Sequence, residues 1–344
     1  MGTHTASSET ATRVRTPEER GSRAVAIFGS WMIFGLFLDG WAHQAEKPET
    51  FFSPWHGVLY SGFVAAVVWF GWDSRRHRDG GAEVDRLATA GLVAFIVGAV
   101  GDGIWHELLG IEVDIEALLS PTHLALMIGG ALMVSAPIRA SRGTIPDRPT
   151  LRQFVPTLAS VTLVTSLVLF FLMYLSAAYP VALHRWADEG AQIIGIAAIL
   201  VRTAVMLGAS FVVLRRWHPP FGTFTVLWAV PAVALSGLEG FRGIALAIPF
   251  VLAGLAADVI VDRSIGGSRT ELTLAMVTPF LAWSSYFAIH AVVWGVHWPA
   301  EIWTGAIVFA VLLGVGITLI SPPDPRERAS VSTDAPAGKA SASH

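Results

Sequence analysis

The chain contains no cysteine, which excludes disulfides, thiolate metal sites and iron–sulfur clusters. Lysine is nearly missing too: of 23 basic residues only Lys47 and Lys339 are lysines. Charged residues make up 14% of the chain, where a soluble domain carries about a quarter. The seven methionines do not gather into the thioether clusters expected of a dedicated copper(I) carrier. The polar stretch up to Gly21 lacks the apolar core and small-residue cleavage site of a signal peptide. The formal net charge of −3 says little, because the distribution of charge matters more than its sum, and no nucleic-acid partner is expected.

What is plentiful is apolar surface: 53% of residues are hydrophobic and the mean hydropathy is +0.57. Runs of about 20 apolar residues, enough to cross a bilayer, recur along the whole length. They predict an all-α integral membrane protein of about ten transmembrane helices, at 24–43, 54–73, 87–108, 121–139, 154–178, 190–214, 222–237, 243–262, 271–293 and 300–320. The segment at 222–237 is the shortest. The expected organisation is a disordered cytoplasmic tail (1–23), a four-helix metal-binding half (24–139) and a cytoplasmic loop (140–153). A six-helix membrane bundle (154–320) and a second disordered cytoplasmic tail (321–344) follow.

Arginines sort to one side of this arrangement. Arg75, Arg76, Arg78 and Arg86 share a side with Arg139, Arg142, Arg148 and Arg152, and with Arg215, Arg216, Arg263 and Arg269. By the positive-inside rule both termini are expected in the cytoplasm of a multi-pass plasma-membrane protein. Seven of eleven histidines then fall at the opposite, extracytoplasmic ends of helices or in the loops there: His43, His56, His106, His123, His184, His290 and His297.

Four of these belong to a repeat. Residues 39–56 read DGWAHQAEKPETFFSPWH and residues 102–123 read DGIWHELLGIEVDIEALLSPTH. Each holds Asp-Gly-x-x-His, a linker, then Ser-Pro-x-His. Asp39 and His43, like Asp102 and His106, stand at i and i+4 on one helix face. Serine is a natural N-cap and proline suits the first helical position, so His56 and His123 fall in the first turn of the next helix. Each repeat is thus a helical hairpin with three convergent ligands and open coordination positions. A lone histidine at a helix end is usually an interfacial hydrogen-bonding residue. Two copies of the full pattern at one face point instead to metal: Asp39, His43 and His56 in one site, Asp102, His106 and His123 in another. Imidazole with carboxylate suits copper(II), zinc or iron(II).

The run DGWAHQ followed by FFSPWHGVLYSGF resembles the metal-binding region of the C subunit of particulate methane and ammonia monooxygenases. Asp39, His43 and His56 match that family's Asp-x3-His-x12-His copper ligands without a gap. Asp102, His106 and His123 are similar to its second site, with two departures. Aspartate stands in place of asparagine, and sixteen residues rather than thirteen separate the histidines. The resemblance covers residues 30–135, or four of the ten expected helices. It implies copper as the cofactor, oxygen activation, a small apolar substrate and partner subunits, with a stand-alone chain or homo-oligomer as the alternative.

Other polar residues are candidates to line the approach to the site or to orient its imidazoles: Glu116, His184, Glu239, His290 and His297. Glu116 could also be a ligand. Placement among interfacial tryptophans (Trp186, Trp294, Trp298, Trp303) is the plainer reading for His184, Glu239, His290 and His297. Arg202 falls mid-helix and is expected to pair with a carboxylate or with carbonyl oxygens inside the bundle. Three functions are open at this stage: a copper-dependent monooxygenase-like oxidoreductase, a non-catalytic protein for copper uptake, storage or delivery, and a membrane zinc hydrolase.

Overall fold

The structure, a computed structural model, describes residues 17–47, 53–76, 85–110, 115–175, 189–264 and 266–321. A helix stands on each of the ten expected segments: α1 (Pro17–Gln44), α2 (Pro54–Arg76), α3 (Arg86–Leu109), α4 (Pro121–Val134), α5 (Leu151–Phe171), α6 (Glu189–Leu214), α7 (Thr223–Leu238), α8 (Ile248–Asp262), α9 (Ser268–Val293) and α10 (Ala300–Ile320). Eight segments are long and apolar enough to cross a membrane. The other two are α2 and α7. Aromatic and polar residues dilute α2, and the 16 residues of α7 reach only about 24 Å. The chain is an all-helical membrane protein.

Proline shapes two helices near their ends. Pro137 cannot donate to the carbonyl of Met133, so α4 stops at Val134 and resumes as Ala136–Ala140. Arg139 repairs the break: it donates to the Leu132 carbonyl (2.9 Å) and to Ser135 Oγ (2.6 Å). Its guanidinium also reaches Asp85 Oδ2 at 2.7 and 2.9 Å. Asp85 in turn caps α3, accepting from the backbone N–H groups of Leu87 and Ala88. One ion pair therefore joins the start of α3 to the end of α4. In α5, Pro156 frees the carbonyl of Arg152, and Arg23 of α1 donates to it.

Close packing within each hairpin depends on small residues, as in membrane helices generally. A Cβ at Gly35 of α1 would lie 2.5 Å from the Leu59 backbone of α2, and one at Gly129 of α4 would lie 2.6 Å from the Phe95 nitrogen of α3. Phe63 and Phe95 stack at 4.3 Å, bridging α2 to α3. The α5 helix is the most enclosed span, with 72% of its apolar window buried. It packs against α1, α4, α6 and α7 and so ties the hairpins to the rest. Beyond it α7, α8, α9, α10 and α6 close a ring. Asp258 of α8 supplies the cap that Gly222 cannot, accepting from the backbone N–H groups of Phe224 and Thr225, both at 2.9 Å. The main apolar core runs from Met32 of α1 to Ala310 of α10, and a small separate cluster joins Val25, Ala88 and Ala136.

Candidate metal centre

Both Asp-x-x-x-His pairs lie in the last turns of their helices, α1 and α3, as the i, i+4 spacing predicts. The α2 helix opens at Pro54 and α4 at Pro121, each directly after its serine. Ser120 accepts from the His123 backbone N–H (3.4 Å), the N-cap the sequence implies. Because each hairpin is antiparallel and tightly packed, one helix end meets the next helix start at the same depth. The ligand atoms of Asp39, His43 and His56 all lie within 4.8 Å of one another, and so do those of Asp102, His106 and His123.

The separations match a coordination polyhedron. Nitrogen or oxygen ligands about 2.0–2.1 Å from a tetrahedral ion stand about 3.3 Å apart. In the second triad His106 Nε2 is 3.4 Å from Asp102 Oδ2, and His123 Nε2 is 3.3 Å from Oδ1. In the first, His56 Nε2 is 2.9 Å from Asp39 Oδ1 and His43 Nε2 is 3.8 Å from Oδ2. Asp39 Oδ1 is buried and accepts no hydrogen bond from the described residues. A carboxylate oxygen shut away from water without a donor is costly unless a cation meets it.

In the second triad His106 Nδ1 sits 3.3 Å from the Gly110 carbonyl. A carbonyl can only accept, so Nδ1 donates to it and Nε2 is the ring nitrogen that faces Asp102. Ser120 Oγ holds His123 Nδ1 at 2.7 Å, and Thr122 Oγ1 donates to Asp102 Oδ1 at 3.3 Å. These contacts orient first-turn and last-turn imidazoles in the way outer partners orient metal ligands. The donor sets of both triads could hold a metal ion.

The triads share one neighbourhood. His43 feels the charges of His56, His106 and His123, and Tyr60 those of both Asp39 and Asp102. Between α2 and α3 lies an apolar cleft of about 780 Å³, lined by Gly57, Tyr60, Ala99, Val100, Gly103, Ile104, Glu107 and Leu108. Three of these adjoin ligands in the chain: Gly57 follows His56, Gly103 follows Asp102, and Glu107 follows His106. Val100, Ile104 and Leu108 are exposed, so the cleft opens on the apolar outer face of the bundle.

Of the other candidates, Glu116 is exposed in the single helical turn Glu116–Leu119. Glu239 is half-buried after α7, beside Gly240, where a Cβ would lie 4.0 Å from Trp41 Nε1 of α1. Burial pushes the Glu239 carboxyl above its ordinary range, and Arg242 opposes that rise. His290 is fully buried at the end of α9, with Nδ1 2.9 Å from the Gly295 carbonyl. His297 is exposed, whereas Trp298 is buried against Phe287 rather than at a surface. His184 and Trp186 lie outside the described residues. Tyr60 was not singled out in the sequence, although it stands four residues after His56 on the same helix face.

Fold and site together define an all-helical membrane protein with two Asp-His-His groups able to hold metal ions. Comparisons of the chain with protein-family models, curated proteins and solved structures return no match.

Proposed function

We propose that the chain is a membrane-embedded copper oxidoreductase of the monooxygenase type, acting on a small apolar molecule that arrives through the lipid. The observation that carries this reading is the cleft between α2 and α3, which is apolar, open to the bundle surface and flanked by residues adjoining three of the six ligands. Its volume of about 780 Å³ suits a small hydrocarbon together with oxygen. A site for a charged or bulky lipid headgroup would need converging polar groups, and among the described residues lining it only Tyr60 and Glu107 are polar.

The reaction joins one oxygen atom of O2 to a substrate C–H bond. It takes two electrons and two protons from an external hydroquinone and releases water with the alcohol. Bound copper would supply the one-electron chemistry and the activation of oxygen. The chain's own part is to hold the ions through the two triads and to fix His106 and His123 through Gly110 and Ser120. Apolar side chains exclude bulk water, and Tyr60 lies within electrostatic range of both Asp39 and Asp102. In this reading the site faces the extracytoplasmic side and both termini are cytoplasmic, in keeping with the one-sided arginines.

The test is metal analysis and electron paramagnetic resonance of full-length protein purified into nanodiscs without chelators. Oxygen uptake with a hydroquinone and a short alkane is then measured, with the alcohol product quantified. Copper with substrate-dependent uptake is the expected result. Zinc alone would replace this reading with a hydrolytic one. Copper without oxygen uptake would leave a copper carrier.

A further inference from the structure

We propose that Arg202 anchors a separate anion-binding site at mid-membrane in the C-terminal ring of helices. Arg202 stands thirteen residues from Glu189 and twelve from Leu214 within α6. That is about 18–20 Å from either helix end, which puts its Cα beyond the reach of snorkelling to either interface. Its side chain is 3% exposed. None of its nitrogens, Nε, Nη1 or Nη2, has a hydrogen-bond partner among the described residues. The expected pairing with a carboxylate or with carbonyl oxygens is not met.

Three other buried charges are answered among the described residues: Asp258 accepts two backbone N–H groups and a threonine hydroxyl, Glu271 takes Arg215 through both oxygens, and Asp102 faces two imidazoles and a threonine. Of the buried carboxylate oxygens there, only Asp39 Oδ1, in the first triad, is also left without a hydrogen bond. Arg202 has only the face of Phe250, 3.8 Å from its guanidinium carbon. One ring face returns a small part of the hydration a guanidinium gives up in a membrane interior. With the Phe250 ring 3.8 Å from its central carbon, the group still has its in-plane N–H edge to bind with, since none of its three nitrogens is engaged among the described residues. That edge is a fork suited to an anion that accepts two parallel hydrogen bonds. Tyr286 of α9 lies within electrostatic reach, so a phenol borders the same spot. Nearby polar groups are already engaged with each other, since Trp283 Nε1 donates to Thr203 Oγ1 at 2.8 Å.

The ligand chemistry is that of a small monoanion, which could be an inorganic ion from water or the carboxylate of a fatty acid from the lipid. Both sources are tested on full-length protein in detergent, by following thermal unfolding through tryptophan fluorescence. Sodium gluconate is exchanged for sodium chloride at constant ionic strength, and in a second arm sodium oleate is titrated against an equal concentration of oleyl alcohol. Saturable stabilisation of the wild type by roughly 3 °C or more in one arm is expected, and the arm that responds names the source. Arg202→Gln and Arg202→Met should abolish the shift while leaving metal content unchanged. Should those two variants fail to fold, Arg202→Lys decides, because a point charge without the fork should need roughly tenfold more anion for the same shift. A wild type flat in both arms, an undiminished shift in the Gln or Met variant, or an unchanged midpoint in the Lys variant would overturn the site.

Discussion

The Nε2 atom of His56 lies 2.9 Å from Oδ1 of Asp39, and that oxygen, closed off from solvent, accepts no hydrogen bond from the described residues. The pair reaches across from the last turn of α1 to the first turn of α2, with His43 one helical turn beyond Asp39. If a metal ion answers the unmet oxygen, removing either imidazole leaves too few ligands to hold it. His43→Ala and His56→Ala should each remove most of the metal from this triad while the protein still inserts and folds. Metal content per chain in nanodiscs measures this, and full occupancy in both variants would sink the assignment.

The second triad is more enclosed around its carboxylate, with Asp102 5% exposed. Asp102→Ala should empty this triad and leave metal at Asp39, His43 and His56. The readout is metal stoichiometry together with the spectrum of the ion that remains. Loss of both metals at once would mean that the six residues act as one dinuclear centre, which the shared electrostatics around His43 and Tyr60 make a real competitor.

Filling the cleft should separate substrate access from metal binding. A Cβ at Gly57 would meet nothing within 4 Å, so Gly57→Leu can be accommodated without displacing a neighbour. Turnover of a small hydrocarbon should fall by at least about tenfold, the order of effect expected when a substrate is misplaced in its pocket. Metal content should not change. Unaltered turnover would remove the cleft from the reaction path.

Asp85 and Arg139 fasten the hairpin of α3 and α4 at the end away from the triads. Asp85→Ala costs a helix cap and leaves Arg139 without its carboxylate, a destabilisation of about 1–3 kcal/mol. Thermal unfolding in detergent should show a lower midpoint, and the second triad should lose metal before the first as temperature rises. A midpoint equal to that of the wild type would show the pair to be a surface contact of no consequence.

Because the chain has no cysteine, single introduced thiols report cleanly on topology. Lys47→Cys, beyond the end of α1, should react with an impermeant thiol reagent in intact cells. Thr144→Cys, exposed in the loop after α4, should react only once the membrane is opened. The reverse pattern would put the triads on the cytoplasmic side.

The helices and both ligand sets were legible in the sequence because the signals are local. Apolar runs of bilayer length, an i, i+4 Asp/His pair and a Ser-Pro helix start each act within a few residues of backbone, so α1 to α4 and the two Asp-His-His groups that could hold a metal follow from pattern alone. The break in α4 at Ser135 shows the limit, since Pro137 sets the stop but only Arg139 and Asp85, 54 residues apart, decide how the freed groups are satisfied.

Tertiary structure decided what depends on which helices become neighbours. It brought Tyr60 within reach of two carboxylates 21 and 42 residues away, opened an apolar cleft between α2 and α3, and buried Trp298 where its sequence context implied a membrane surface. It also decided the surroundings of Arg202, whose charge the sequence implied would find a partner within the bundle and whose guanidinium carbon lies 3.8 Å from the centre of the Phe250 ring. Periodicity says which side of a helix is apolar but not what comes to face it. In a membrane protein that choice rests on close packing of small residues such as Gly35 and Gly129, because apolar burial gains little when the lipid is as apolar as the core.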